Sequence, residues 1–216
     1  MSITCLPAKL VFFPIPKVAC TSIKVMLYEI NNHVEWRSVR IGFGQVHGYP
    51  GYRSLPFNTV GLEDLDDFAK IAVVRNPIDR AISAYRDKAR KLVLEGTAFQ
   101  KKLEEAGLPL EPDPDLFFSE IDQYFDCASV IKEHMRPFSY HLGLDLGYFD
   151  QIFKLEEMDE LSAYVSDRLG KPAGVQASNS SKRSINTPKE ISPKTMDKIV
   201  EFCEEDLNYL SDYYTI

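Results

Sequence analysis

The chain has 216 residues, 44% of them hydrophobic and 26% charged, which suits one globular domain with a substantial core. Its formal net charge of −7 disfavours nucleic acid as a partner, because binding a polyanion needs positive charge. No apolar run reaches the length of a membrane span, and the four cysteines are scattered without metal-ligand spacing. We therefore expect a single domain over residues 1–216 without a membrane span, in a reducing compartment.

The first predicted unit is a strand, a tight loop and a helix. An apolar strand is predicted over residues 9–16 and a helix over residues 20–31, with Lys17 in the loop and Thr21 and Ser22 at the helix start. Backbone N–H groups and the helix dipole favour an anion at a helix N-terminus, and the lysine and hydroxyls add donors. The segment predicts a phosphate cradle; the alternative is an ordinary strand–turn–helix with a capping Thr or Ser.

The position of the lysine separates this cradle from the common nucleotide-triphosphate loop. In G-x-x-x-x-G-K-[ST] the lysine stands directly before the hydroxyl residue, whereas Lys17 precedes Thr21 by four positions. The glycines of that motif are also missing. We therefore expect Lys17 to meet a different part of the ligand.

A second strand–helix unit is predicted from residue 68 to about residue 94. Residues 71–74 form a β-branched apolar run typical of a strand covered on both faces, and Asn76 can cap the helix that follows. Arg75 stands at the carboxyl end of the strand, where open α/β sheets bind ligands, and Ser83 lies about two turns into the helix. The alternative is a solvent-paired arginine and a serine on a helix face.

The rest of the chain alternates helical and irregular segments. Residues 32–62 are predicted to form a long functional loop, residues 96–114 an insertion or lid, and residues 173–189 a flexible loop. Helices are predicted over residues 116–125, 128–134, 157–169 and 193–213, and a strand over residues 151–155. This alternation predicts a P-loop-like α/β fold, a three-layer sandwich with a central parallel sheet and helices on both faces.

Taken together, the two motifs resemble the PAPS-dependent sulfotransferases, where PAPS is 3′-phosphoadenosine 5′-phosphosulfate. Residues 16–22 look like the family's 5′-phosphosulfate loop, and residues 74–88 look like its 3′-phosphate motif. The runs Pro-Lys-Val-Ala-Cys and Ser-Ala-Tyr-Arg-Asp-Lys are similar to the carbohydrate O-sulfotransferases of the chondroitin, dermatan and HNK-1 group, which are related to uronyl 2-O-sulfotransferases. The resemblance covers the first ninety residues well, and residues 133–137 and 148–156 more loosely.

The resemblance implies an enzyme that transfers the sulfuryl group of PAPS to a hydroxyl of a carbohydrate or glycoconjugate, releasing adenosine 3′,5′-bisphosphate (PAP) without a metal. It assigns Lys17 to catalysis and to the cosubstrate, and a late basic loop to closure over the 3′-phosphate. The implied cosubstrate-binding residues are Lys17, Val18, Ala19, Cys20, Thr21, Ser22, Arg75, Ser83, Ser181, Lys182 and Arg183. For the basic pair of that loop, a solvated turn is the alternative.

Two histidines are candidates for the general base that removes the acceptor proton. His47 lies in a glycine-flanked loop between the two phosphate motifs, and the resembling uronyl 2-O-sulfotransferases carry a catalytic histidine in a similar His-Gly context. His134 precedes an Arg-Pro pair in a segment that resembles a family block with His-Trp-Arg-Pro. A loop histidine with a structural hydrogen bond is the alternative for His47.

Two other functions compete with sulfuryl transfer. A small-molecule kinase with a degenerate phosphate loop would need magnesium ligands, and no apolar strand ends in a suitable aspartate. A nucleotide-binding protein without catalysis is the second alternative. Because the related animal enzymes carry a Golgi anchor that this sequence lacks, we expect a cytoplasmic, bacterial protein, or a Golgi enzyme whose anchor has been removed.

Overall fold

The computed structural model describes residues 2–36, 52, 54–59, 65–87, 89, 97–175 and 191–215. Within this part of the chain, the strands form one sheet in the order β1-β2-β3-β4. The strands are β1 (Ile3–Cys5), β2 (Leu10–Phe13), β3 (Ala69–Val74) and β4 (Gln151–Lys154). The mixed sheet and the many helices confirm the predicted α/β class.

Three of these strands are parallel, as predicted, and the edge strand is not. Phe12 of β2 pairs with Ile71 of β3, and Ile71 pairs with Gln151 of β4, both in parallel register. Strand β1, which the sequence analysis missed, runs antiparallel to β2. A four-residue turn joins β1 to β2, and it closes through the Lys9 N–H and the Leu6 carbonyl at 3.1 Å. Such a short connection permits only an antiparallel pair, so the purely parallel sheet was wrong at this edge.

The predicted helices occur in the predicted order with two interruptions, and two further helices, over residues 97–105 and 138–142, were not predicted. Their bounds are α1 (Cys20–Asn32), α2 (Pro77–Asp87), α3 (Thr97–Glu105), α4 (Pro114–Ser119), α5 (Ile121–Cys127), α6 (Ser129–Met135), α7 (Phe138–Leu142), α8 (Met158–Leu169), α9 (Pro193–Phe202) and α10 (Glu204–Tyr209). Glu120 and Cys203 leave helical geometry, with φ/ψ of −115°/26° and −90°/1°, and they divide two helices that were predicted to be continuous. Gly170 ends α8 in the left-handed region with φ 65°, as predicted.

The chain divides into two compact units. The sheet unit comprises Met1–Arg75 and Phe138–Ser181, and the helical unit comprises Asn76–Pro137 and Lys182–Ile216. In the sheet unit, α1 packs against β1 and α8 packs against β4. Every residue of β2 is buried, which matches its uninterrupted apolar sequence.

The helical unit has its own aromatic core. Phe117 is fully buried between Tyr85 and Tyr124, with ring centroids 5.3 Å and 5.2 Å away. The two tyrosine hydroxyls donate to the carbonyls of Pro112 and Pro109, which satisfies polar groups that would be costly to bury alone.

The segment predicted to be an insertion or lid belongs to this core. It contains α3, whose Leu103 is fully buried, and Leu108 is buried beside it in the same cluster. Its prolines supply the carbonyls that accept from the core tyrosines. The lid interpretation of residues 96–114 was therefore wrong. It followed from the polar composition of the segment as a whole, although two of its leucines are core residues. Among the described residues, no helix has the length and apolarity needed to cross a bilayer.

Candidate functional site

The loop between β2 and α1 has an unusual backbone. Lys17 and Ala19 both lie in the left-handed region, with φ of 71° and 58°. Non-glycine residues pay about 1–2 kcal/mol for that conformation, and such strain concentrates at functional sites. Ala19 is the N-cap of α1 and makes no side-chain capping bond, while the Ile23 N–H closes the first turn onto the Ala19 carbonyl at 3.2 Å. The alternative of a capping Thr or Ser was therefore wrong.

Burial divides the loop residues into an anchor and an accessible set. Val18 is fully buried, so its side chain fixes the loop to the core and only its main chain can meet a ligand. Cys20 and Ser22 are buried too, at 7% exposure each. Lys17 and Thr21 are half-buried, and they are the side chains of this loop best placed to contact an anion.

Arg75 meets this loop directly. It follows the last residue of β3, and its guanidinium Nη1 donates to the Lys17 carbonyl at 3.3 Å. Because β2 and β3 are parallel neighbours, the segments that leave their carboxyl ends start from the same edge of the sheet. The structure thus brings together the lysine loop and the arginine that the sequence analysis assigned to two phosphates of one ligand.

A second lysine of this segment, Lys24, was not predicted from the sequence as part of the site. Lys24 of α1 is fully buried, and its Nζ donates to the Ser54 Oγ at 3.0 Å. Burial lowers the pKa of Lys24 below the usual lysine value, while the nearby Cys20 acts in the opposite direction. Lys24 stands three residues after Thr21, about one helical turn further along α1.

Two other candidate residues lie in the helical unit. Ser83 is half-buried on α2, and the predicted cap of that helix is confirmed, since the Asn76 Oδ1 accepts from the N–H groups of Ile78 and Asp79 at 3.0 Å and 3.3 Å. His134 of α6 is half-buried, with its Nδ1 2.7 Å from the Val130 carbonyl. That contact requires a proton on Nδ1, which leaves Nε2 as the nitrogen that can accept one in the neutral ring.

The remaining candidates, His47, Ser181, Lys182 and Arg183, lie outside the described residues. Within the described ranges, no group of three or more His, Cys, Asp or Glu side chains is arranged to hold a metal ion.

Comparison with known families decides what this strand–loop–helix site belongs to. The model of the Sulfotransferase family matches residues 2–215, nearly the whole chain. The chain belongs to the sulfotransferase family. No curated protein and no solved structure matches it. Sulfotransferases move a sulfuryl group to a hydroxyl-bearing acceptor and generally take it from PAPS, and this assignment gives no support to the kinase alternative.

Proposed function

We propose that this sulfotransferase is a PAPS-dependent O-sulfotransferase whose acceptor is a hydroxyl of a carbohydrate or glycoconjugate. The observation that carries the proposal is the contact between Arg75 and the Lys17 loop, which joins two anion-binding elements in one unit. PAPS carries a 5′-phosphosulfate and a separate 3′-phosphate, so its binding site needs two sets of hydrogen-bond donors and positive charges. The match over residues 2–215 supports one sulfotransferase domain of the P-loop-like class.

In this proposal the 5′-phosphosulfate lies at the start of α1. Main-chain N–H groups of residues 18–22 face the anion, Lys17 supplies a positive charge and Thr21 donates its hydroxyl. Arg75 and Ser83 are assigned to the 3′-phosphate, together with Ser181, Lys182 and Arg183 of the late basic loop. The last three, like Ser83, rest on the resemblance of their motifs.

The chemistry asks for positioning and charge stabilisation. The acceptor oxygen forms a bond to sulfur as the bond from sulfur to the bridging 5′-phosphate oxygen breaks, and the acceptor proton passes to a base. Lys17 neutralises the charge that develops on the bridging oxygen, so PAP leaves without a metal ion. His47 is the proposed base by its His-Gly context, and His134 is the second candidate.

The acceptor class and the compartment rest on the sequence. Similarity to the carbohydrate branch favours a sugar hydroxyl, and the net charge of −7 favours a small glycan, glycolipid or metabolite over a long sulfated polymer. We propose a cytoplasmic enzyme, with no nucleic acid among its partners.

Calorimetry and transfer assays on Lys17→Ala test the proposal. We expect PAP to bind the wild-type protein in the presence of a chelator, and Lys17→Ala to lower kcat for sulfate transfer from PAPS by about 10²–10³-fold. Lys101→Ala is the matched control, because Lys101 is exposed on α3 and its ion pair with Glu105, at 3.8 Å, lies at the surface. Wild-type activity in Lys17→Ala would refute the assigned role.

The same titrations separate the alternatives. Tighter binding of magnesium ATP than of PAP would favour a kinase, which the proposal excludes. Binding of PAP without transfer to any acceptor in a broad panel of sugars and alcohols would favour a non-catalytic nucleotide-binding protein.

A further inference from the structure

The first turns of α2 are held by a buried ion pair. Arg80 is 3% exposed, and its Nη1 lies 3.3 Å from the Oδ2 of Asp206, which is 8% exposed. Asp206 belongs to α10, near the end of the chain and 126 residues away from Arg80. A long-range pair of this kind fixes the position of α2 within the helical unit.

Two further bonds act on the same part of α2. The second guanidinium nitrogen of Arg80 donates to the Arg136 carbonyl at 2.7 Å. The thiol of Cys203, at the junction of α9 and α10, donates to the Pro77 carbonyl at 3.5 Å. Burial, with Asp206 nearby, raises the pKa of Cys203 to about 12. At neutral pH the thiol is therefore protonated and can donate this hydrogen bond. Residues 203–206 thus contact α2 at two points one turn apart.

Stability alone does not account for such a pair. Removing two charges from water costs free energy, and well-packed apolar residues of similar volume often stabilise a protein as well or better. A guanidinium instead fixes the relative orientation of the groups it bonds, because its planar N–H donors point at fixed angles. Asp206 and the Arg136 carbonyl come from different segments, and their bonds to Arg80 orient its guanidinium.

Ser83 lies where this orientation matters. It stands three residues after Arg80, on the same side of α2. Small displacements of a hydroxyl weaken its bond to an anion strongly, since hydrogen bonds depend on distance and angle.

We propose that Arg80 and Asp206 are positioning residues, which hold α2 so that Ser83 meets the 3′-phosphate of the cosubstrate. This inference rests on the proposed function, and it adds a role for the C-terminal helix α10. Neither residue contacts the nucleotide; both act through the placement of α2.

The preference for a 3′-phosphate is the measurement that tests this role. We define it as the Kd of adenosine 5′-phosphate divided by the Kd of PAP, both from calorimetry on the full chain. We expect Asp206→Asn and the double variant Arg80→Met with Asp206→Leu each to lower this ratio about tenfold. Glu204→Gln is the matched control, because it removes the same charge from an exposed position of α10 and leaves the ratio unchanged.

A cycle with Ser83→Ala shows whether the pair acts through this serine. We expect Ser83→Ala to lower the ratio, and its combination with the apolar double variant to lower it little further, because both changes remove one interaction. Full additivity of the two losses would overturn the inference. If Asp206→Asn fails to fold because the buried Arg80 loses its carboxylate partner, the apolar double variant still tests the inference.

Thermal unfolding, recorded in parallel, separates positioning from support of the fold. A lower Tm with an unchanged ratio in both variants would overturn the inference and leave the proposed function standing. A wild-type protein with no preference for PAP over adenosine 5′-phosphate would overturn the proposed function itself, and this inference with it.

Discussion

At the scale of single residues, Lys24 is the most informative side chain outside the loop. It is fully buried, and burial lowers its pKa below 10.5. A base with a lowered folded pKa binds fewer protons in the folded state than in the unfolded state between the two pKa values. Folding stability therefore rises with pH through that window, up to about the unfolded pKa, and is lowest below the folded pKa.

Unfolding by urea across pH tests this linkage. We expect the free energy of unfolding of the wild type, minus that of Lys24→Met, to increase as the pH is raised from neutral towards 10. The subtraction removes the contributions of other titrating groups, which both proteins share. A difference that is flat or falls over this range would contradict the prediction.

Thiol reactivity gives a second prediction at this scale. The reactive form is the thiolate, and burial raises the pKa of Cys203 from 9.0 to about 12 and also raises the pKa of Cys5. At pH 8 the Cys203 side chain is therefore almost entirely the unreactive thiol. Cys127 is only half-buried.

A short pulse of iodoacetamide, followed by peptide mass spectrometry, reads out this difference. We expect Cys127 to be labelled before Cys5 and Cys203, and Cys127→Ser to remove its label. Early labelling of Cys203 in the folded protein would contradict its burial against Pro77.

The residues of the site show what sequence can predict at this scale. Lys17 and Arg75 were predicted together because each follows an apolar run, and parallel strands bring such positions to one edge. Lys24 was missed because its burial depends on Ser54, thirty residues later, and no local pattern reports that contact. Arg80 and Asp206 were missed for the same reason, at a separation of 126 residues.

At the scale of elements, the loop before α1 stores conformational strain that a substitution can release. Ala19 has φ 58°, where a Cβ costs about 1–2 kcal/mol and glycine pays nothing. Glycine loses more backbone entropy on folding, by roughly 0.5–1 kcal/mol, so Ala19→Gly should stabilise the protein by about 0.5–1 kcal/mol.

Chemical denaturation checks this sign, with the same substitution elsewhere as control. Ala163 is exposed in the middle of α8, and Ala163→Gly should destabilise the protein by about 1 kcal/mol. Opposite signs for the two variants are expected. Destabilisation by Ala19→Gly of the same size as in α8 would show that the loop carries no such strain.

Element prediction succeeded where periodicity was strong and failed where elements were short. Strand β1 has only three residues, too few for a pattern, and it exists because the turn at Lys9 folds it onto β2. The breaks at Glu120 and Cys203 carry no proline or glycine. Cys203 instead ends α9 where its thiol meets the Pro77 carbonyl, a contact that depends on the tertiary fold.

At the scale of the whole molecule, one of the three boundaries between the two units falls between Arg75 and Asn76, inside one continuous strand–helix motif. Linkers between domains are recognised in a sequence by runs of glycine, proline or serine, and the sequence around residues 75–76 has no such run. The alternation of predicted strands and helices indicated the α/β class, and length and composition indicated a substantial core. The division of the chain into two units was not predictable, because it depends on contacts between segments distant in sequence, such as α4 and α9.

The net charge of −7 leads to the last prediction, which concerns the class of acceptor. A long sulfated polymer binds a protein mainly because counterions are released when it contacts a basic surface. A protein with a negative net charge has little basic surface to offer. We expect the protein to pass through a heparin column at about 50 mM salt without retention, where charge attraction is strongest. Heparin should also leave sulfate transfer to a small sugar acceptor uninhibited.

The control for this experiment is the same column at acidic pH. There the carboxylates take up protons, the net charge turns positive, and retention should appear, which shows that the column and the protein are both competent. Retention at neutral pH that weakens steeply with added salt would contradict the prediction. It would mean that basic side chains gather on one face strongly enough to overcome the overall charge, and the proposed small acceptor would then give way to a sulfated chain.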